Sequence, residues 1–415
     1  MCDEGEFAMY EGKIIKFYRE KYKITQEKLG KDICSVTHIS KIECSKTAFA
    51  PEIIALLCKR LDINIEIEVA KLHNIKHQLF EWQEAIIMKL INDAEQMNKE
   101  LEQEELIQIS DYYYMYQLLR ARYLMMQDKL TEGYRIIKKV QKVENKMTPY
   151  ETNLLKHVLG IYYLLKQEYS KAIETLKEID NRIYNNSEYY YQLAVAYHTL
   201  ESPVLAYYYA EKSHHYFKDM NNYHRLIDAE MLMIIQVKDD DDVNEEIIQR
   251  YKKLIKSCDL CSTLNQKAKV LHNLGYEYLR RKKYDLANRY FLESMSLKEK
   301  ESLPYLISLE LYIQSSYDGN LIPKDELINL AESGLTIALN NDYLVYIHIF
   351  RLLLYLLKSK EHQFYQYLSN KALPMFIKFG HVDLIKRSKK ELFIYYKNNG
   401  LKDEALKIAD FFINS

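Results

Sequence analysis

The chain has 415 residues, a length typical of two or three domains, and only 10 of them are Gly and 6 are Pro. Because sheets depend on turns that favour Gly and Pro, this composition argues against an all-β or a doubly wound α/β chain. Hydrophobic residues make up 48% and charged residues 28%, which excludes general disorder, and the formal net charge of −1 provides no overall attraction to nucleic acid or to an anionic membrane. We therefore predict an all-helical globular protein.

The N-terminal sequence and the cysteine content indicate where the protein acts. Its first residues, MCDEGEFAMYEGK, are acidic and lack the apolar segment of a signal peptide. No stretch approaches the 18 uncharged apolar residues of a membrane span, and six Cys do not make a disulfide framework. The sequence predicts a cytoplasmic protein with no membrane partner.

Residues 1–68 contain four or five short predicted helices joined by tight links. Thr25 and Ser35 are N-cap candidates for the second and third helices. Pro51 lies in the first turn of the fourth helix, where a missing N–H is tolerated. This pattern predicts a compact helix-turn-helix domain over 1–68, followed by connecting helices over 69–108.

The third helix of a helix-turn-helix lies in the major groove of DNA. Ile39 and Ile42, with Leu29 and Ile33, form the apolar stripe that would hold this helix. The candidate DNA-binding residues are those that then face outward, together with a phosphate contact at the start of the second helix: Val36, Thr37, Ser40, Lys41 and Gln26. Residues 9–62 hold 11 Lys/Arg and 7 Asp/Glu, a local net charge of +4. The alternative is that this domain only caps a repeat protein.

Two later segments, 154–179 and 270–295, repeat the same pattern. They share Leu159/Leu274, Gly160/Gly275, Tyr163/Tyr278, Tyr169/Tyr284 and Ala172/Ala287. This is the tetratricopeptide signature, and its period of 34 residues separates Gly160 from Ala194 and Ala172 from Ala206. The small residues let the two helices of a hairpin approach closely.

Further helical pairs flank these units. We place them at 109–145, 222–258, 303–339, 342–377 and 381–413, and we interpret the acidic run Asp239–Asp242 as a solvated loop. The predicted fold is all-α: the helix-turn-helix domain is followed, over 109–415, by a right-handed superhelical solenoid of about eight tetratricopeptide-like hairpins.

The N-terminal domain resembles the Xre/Cro-like helix-turn-helix family over residues 9–64, through TQEKL and SVTHISKIE. The whole chain is similar to the peptide-pheromone-responsive regulators of Gram-positive bacteria (the Rap, Rgg, NprR, PlcR and PrgX superfamily), and its length and repeat count are most like the NprR-type. The resemblance implies that a short signalling peptide binds the concave face of the repeats. It also implies a homo-oligomer, a dimer or a tetramer. Peptide binding then changes how two helix-turn-helix domains (residues 1–68, here called the heads) are presented to an operator in double-stranded DNA.

Helix A of each hairpin lines the concave face in such repeats, which gives a set of candidate peptide-binding residues. Asn273 and Arg122 are favoured, since the family uses Asn and Arg side chains there. The candidates are Arg122, Tyr191, Gln192, Lys269, His272, Asn273, Tyr276 and Arg280. Asn and Gln can pair with both the N–H and the C=O of a peptide, and Arg can clamp a carboxylate. The alternative is that these are ordinary polar residues on a hydrated surface.

No catalytic motif occurs in the sequence, so we predict no enzyme, no metal and no cofactor. Cys258 and Cys261 form the only C-x-x-C, without the second pair of a zinc site. The predicted function is a DNA-binding transcription regulator, a quorum-sensing receptor, switched by a signalling peptide. The alternatives are a Rap-like regulator that captures a response regulator of a phosphorelay, alone or as a second activity, and a scaffold that binds protein helices.

Overall fold

The computed structural model describes residues 4–44, 50–237 and 245–413, without the side chains of 4–9 and 410–413. Every regular element in these ranges is helical, as the composition predicts, and none is long and apolar enough to cross a membrane. The acidic run Asp239–Asp242 lies outside the described residues.

The N-terminal helices follow from their capping residues. Thr25 Oγ1 accepts a hydrogen bond from the Lys28 N–H at 3.1 Å, and Ser35 Oγ accepts one from the His38 N–H at 3.3 Å, which confirms both predicted N-caps. Pro51 is the first residue of the fourth helix, also as predicted. The four helices are α1 (Glu4–Lys21), α2 (Gln26–Gly30), α3 (Val36–Glu43) and α4 (Pro51–Leu61).

A small apolar core holds these four helices together. Ile14 and Ile15 of α1, Leu29 of α2, Ile39 of α3 and Leu57 of α4 are all fully buried. Burial of five large aliphatic side chains contributes about 1.5–3 kcal/mol each relative to exposure. The core therefore fixes the rotation of α3, and with it the face that α3 shows to solvent.

A long helix continues directly from the head. Helix α5 (Ile65–Met88) is capped by Asn64 and runs without a break past residue 68, so the head has no flexible linker after it. The Tyr18 hydroxyl donates a 2.7 Å hydrogen bond to Glu68 in α5. Helix α6 (Ile91–Gln103) and a 3-10 turn (Glu105–Ile109) complete this part.

Eight helical pairs follow in the described part of the chain, one in each segment predicted to hold a hairpin. Their helices are α7 (Tyr113–Met126), α8 (Leu130–Gln141), α9 (Pro149–Leu165), α10 (Tyr169–Lys177), α11 (Tyr189–Thr199), α12 (Pro203–Asp219), α13 (Tyr223–Gln236), α14 (Glu246–Leu260), α15 (Leu264–Arg280), α16 (Tyr284–Ser296), α17 (Leu303–Asp318), α18 (Lys324–Asn340), α19 (Leu344–Leu357), α20 (Glu361–Tyr367), α21 (Leu373–Lys378), α22 (Val382–Asn398) and α23 (Lys402–Ile413). A π-helical turn (Leu368–Ala372) joins α20 to α21. The chain divides into two compact units, residues 1–193 and 194–415.

The signature glycines lie where two helices meet. A Cβ on Gly160 would come within 2.4 Å of the Leu176 side chain, and a Cβ on Gly275 within 2.9 Å of Phe291. Both distances are too short for any side chain, so only Gly permits this approach. The predicted packing role of these residues is confirmed.

Pairs of stacked tyrosines join neighbouring helices, either of two successive hairpins (α8 and α9) or of a single hairpin (α15 and α16). In the first unit Tyr134 stacks on Tyr162 at 4.1 Å between ring centroids, and in the second unit Tyr278 stacks on Tyr290 at 5.5 Å. Such pairs stabilise by about 0.5–1.5 kcal/mol beyond their buried area. This packing accounts for part of the unusual content of 38 Tyr.

Candidate functional site

Helix α3 presents a mixed polar and apolar face to solvent. Ile39 and Ile42 point into the head and are buried. Val36, Thr37 and Lys41 are exposed, and Ser40 is half-buried beside them. Val36 keeps 45% of its surface exposed, which gives this face an apolar contact point next to hydroxyl and ammonium groups. The four side chains predicted to face outward are thus brought together on one side of α3.

Gln26 forms a hydrogen bond within the head. Its Nε2 donates a 2.8 Å hydrogen bond to Glu43 Oε2 at the end of α3. Arg19 of α1 also donates to Glu43 Oε2, at 2.9 Å, and Glu43 raises the pKa of this guanidinium. Three helices are therefore tied by one buried carboxylate. Arg19 and Glu43 carry no sequence signal as partners, because 24 residues separate them.

The end of α2 is held by a residue of α4. Arg60 Nη1 donates to the Leu29 carbonyl at 2.9 Å and also reaches the Lys31 carbonyl. These carbonyls lie at the C-terminal end of α2, a helix of five residues that offers them few intrahelical N–H donors. Arg60 thus fixes the turn that leads into α3.

In the first unit, Arg122 and Gln192 of the predicted peptide-binding set are buried. Arg122 Nη2 donates to Glu188 Oε2 at 2.5 Å, and both side chains are about 95% buried. Arg122 Nη1 and Gln192 Oε1 have no hydrogen-bond partner among the described residues. Tyr191 is half-buried next to Gln192. The predicted carboxylate clamp at Arg122 is therefore already occupied by a carboxylate of the protein.

In the second unit, the other five predicted residues share one side of α15. Lys269 contacts Asp228 of α13, with 3.4 Å between Nζ and Oδ1, and Arg280 pairs with Glu277 of its own helix. Asn273 is half-buried, and Tyr276 keeps 53% of its surface exposed. Lys269, Asn273 and Tyr276 thus leave polar groups accessible along this helix.

His272 belongs to a polar cluster under that surface. Its Nδ1 lies 2.9 Å from Ser308 Oγ in α17, and Lys298 Nζ donates to the same hydroxyl at 2.6 Å. Burial, with the charge of Lys298, lowers the pKa of His272 to about 3. Burial likewise lowers the pKa of Lys298 to about 8, helped by the charge of Lys269. His272 is therefore a neutral hydrogen-bonding group at neutral pH.

A cavity that the sequence analysis missed lies in the second unit, between α17, α19, α20 and α22. Its volume is about 520 Å³, it is partly open to solvent, and none of the predicted peptide-binding residues lines it. Its helices lack the Gly and Ala signature that made the earlier repeats visible in the sequence. Among the described residues, no group of His, Cys, Asp or Glu is arranged to hold a metal ion.

The N-terminal domain matches a known family model, and most of the chain is similar to known regulatory proteins. A helix-turn-helix family model matches residues 15–67. The transcriptional activator NprA of Geobacillus stearothermophilus is 23% identical over 384 residues, which cover 88% of this chain and 93% of NprA. The regulatory protein RapD of Bacillus subtilis (strain 168) is 23% identical over 235 residues, which cover 54% of this chain and 66% of RapD.

Solved structures of the quorum sensor NprR share the fold. The apo form from B. thuringiensis matches with a TM-score of 0.67 at 21% identity, over 82% of this chain and 98% of that one. NprR in complex with its cognate peptide NprX matches with a TM-score of 0.61 at 20% identity, over 82% and 99%. These comparisons confirm the predicted all-α fold and the predicted resemblance to NprR-type proteins, which extends over most of this chain.

Proposed function

We propose that this protein is a DNA-binding transcription regulator, a quorum-sensing receptor that is switched by a short signalling peptide bound to its repeat domain. The observation that carries the proposal is the solvent face of α3 in a head matched by a helix-turn-helix model over residues 15–67. The protein acts in the cytoplasm on an operator in double-stranded DNA, as a dimer or a tetramer. The head spans 1–68, the connecting helices 69–108 and the peptide-binding repeats 109–415.

Helix α3 enters the major groove and reads base edges with its exposed side chains. Val36 contacts the methyl group of a thymine, and Thr37 and Ser40 hydrogen-bond to bases or phosphates. Lys41 supplies a positive charge that reaches a guanine or a phosphate. Gln26, the first residue of α2, contacts a phosphate of the DNA backbone. Its hydrogen bond to Glu43 holds its side-chain amide in place.

The repeats supply the sensor. NprA is named a transcriptional activator, and NprR a quorum sensor that binds a cognate peptide. By analogy, the accessible polar groups of α15 pair with the backbone of an extended peptide. Asn273 is suited to this role because its carboxamide can donate to a peptide C=O and accept from a peptide N–H. Tyr276 adds contact area with little loss of side-chain entropy.

Switching follows from differential affinity. A chain of hairpins in which each repeat packs only on its neighbours is compliant. A peptide that binds one arrangement of the repeats more tightly shifts the population toward that arrangement. In an oligomer, this shift changes the spacing between two heads and hence their fit to two half-sites.

A Rap-like activity is the second candidate, since RapD aligns with 54% of the chain. In that case the protein captures a response regulator, and the exposed face of α3 has no role. DNA binding depends on α3, whereas capture of a response regulator does not. A bifunctional protein has both activities.

Selection from a pool of random-sequence duplex DNA tests the proposal. Full-length protein should enrich a two-fold symmetric sequence with half-sites about one helical turn apart. Heptapeptides selected from a random synthetic pool on the same protein should then change its affinity for that duplex. Failure to enrich any sequence at low salt would refute DNA recognition, and peptides without effect on DNA affinity would refute the switch.

A further inference from the structure

The cavity between α17, α19, α20 and α22, here called the C-terminal cavity, has the size and composition of a binding site. Its volume of about 520 Å³ is within the usual range for small-molecule and side-chain pockets. Its floor is apolar and includes Ile349, Leu353 and Phe376. The floor therefore favours a ligand with an apolar part.

The charged residues around the cavity are mostly acidic. Four carboxylates and two cations line it: Glu310, Asp318, Glu361, Glu391, Lys360 and Arg387. Three tyrosines, Tyr317, Tyr355 and Tyr365, stand among them. The excess of carboxylates disfavours an anionic ligand. Tyr365 already stacks on Tyr395 at 3.8 Å between ring centroids, which leaves Tyr317 and Tyr355 as the rings on which a flat cation can stack.

Glu310 is the carboxylate that lies deepest. Its side chain is only 13% exposed, and the nearest cationic nitrogen, Arg387 Nη1, is 3.8 Å from Oε1. That separation is too long for a hydrogen bond, and no described residue donates one to this carboxylate. Burial raises the pKa of Glu310, against the opposing effect of Arg387. Glu310 therefore lacks the close donor that a buried carboxylate normally has.

We infer that the C-terminal cavity receives an arginine side chain of the signalling peptide, with Glu310 as its carboxylate partner and the apolar floor holding a neighbouring aliphatic residue. This inference rests on the proposed function. A guanidinium fits better than an ammonium group, because it can donate two parallel hydrogen bonds to one carboxylate and stack on a tyrosine ring. The C-terminal cavity thus requires an arginine in the peptide, whereas the accessible polar groups of α15 set no such requirement.

Two matched probes test the inference on the full-length protein. N-acetyl-Leu-Arg amide carries the guanidinium, and N-acetyl-Leu-citrulline amide is its neutral isostere. Ligand-observed NMR titration should give the arginine probe an affinity at least about tenfold higher, the usual effect of a hydrogen bond to a charged group. The Glu310→Gln variant should bind both probes equally weakly.

Two further variants keep the test specific. Glu332→Gln removes a carboxylate that pairs with Lys358 away from the cavity, and it should leave the preference for arginine unchanged. Arg387→Met removes the competing cation from a side chain that is 56% exposed, and it should tighten binding of the arginine probe several-fold.

Equal affinity of the two probes for wild-type protein, or an arginine preference that survives Glu310→Gln, would overturn the inference. So would weaker arginine binding in Arg387→Met. Duplex DNA binding by the same preparation separates this failure from a failure of the proposed function. A protein that binds DNA but does not distinguish the probes disproves the cavity assignment alone.

Discussion

Arg122 and Glu188 form a buried ion pair, with 2.5 Å between Nη2 and Oε2, although 66 residues separate them in the chain. The pair joins α7 to the segment that leads into α11. Neither charge can reach water, so each depends on the other. The same contact changes the meaning of a mutation at Arg122, which the sequence analysis assigned to peptide binding.

Arg122→Ala should destabilise the protein by about 3–5 kcal/mol, because it removes the cation that balances the charge of the buried Glu188 carboxylate. The double variant Arg122→Met, Glu188→Leu should recover most of that loss, since it buries no charge. Urea unfolding measures both. If Arg122→Ala unfolds at the wild-type midpoint, the ion pair contributes nothing to stability.

Gly160→Ala should destabilise the first unit by about 1–3 kcal/mol, because the added methyl group collides with Leu176. Leu176→Ala in the same chain removes the collision, so the double variant should be more stable than the sum of the two single changes predicts. Thermal unfolding of the four proteins gives this coupling. Strict additivity would contradict the close contact.

His272 should make stability depend on pH. Its pKa is lowered to about 3 in the folded protein, whereas unfolded histidine titrates near 6.5. As the pH falls below about 6.5, this histidine becomes protonated in the unfolded chain but stays neutral in the folded protein. Stability that is present at neutral pH is therefore lost in acid. The difference in unfolding free energy between wild type and the non-titrating His272→Gln should shrink by up to about 3 kcal/mol between pH 7 and pH 4. A difference that is independent of pH would show that the imidazole is hydrated.

Oligomerisation should reside in the repeats. A truncated protein that begins at Ile63 keeps the Asn64 cap of α5 and should still form the oligomer of the full chain. Light scattering at micromolar concentration checks this. A monomeric truncated protein beside an oligomeric full chain would place the interface in the head.

Gln26→Ala should weaken binding to all duplexes by a similar, modest factor, since a phosphate contact carries no sequence information. It should also reduce the slope of log affinity against log salt only slightly, because Gln is uncharged. Anisotropy titrations on a selected and a scrambled duplex measure both effects. A loss confined to the selected duplex would assign Gln26 to base recognition.

Local rules were enough to predict much of the fold. The caps at Thr25 and Ser35 follow from hydroxyls that satisfy free N–H groups at a helix start. The repeat signature follows from Gly160 and Gly275, whose lack of a side chain admits Leu176 and Phe291. These signals act over fewer than 20 residues, and a sequence displays them directly.

Long-range partners could not be predicted in this way. The Gln26–Glu43 bond and the Arg122–Glu188 pair depend on how helices rotate against each other, which no spacing records. Glu310 and Arg387 meet across 77 positions in hairpins that have no glycine signature. The charged and buried members of both candidate sites therefore emerged only from the packed structure.

DNA recognition by α3 is tested by anisotropy titration of the selected duplex with the Thr37→Ala, Lys41→Glu double variant. We expect a loss of at least about tenfold in affinity, with an unchanged melting temperature, because both side chains are exposed on α3. Lys253→Glu, an equal charge change on an exposed residue of α14, should bind as wild type does. Equal affinity of the double variant and wild type at physiological salt would show that α3 does not read DNA.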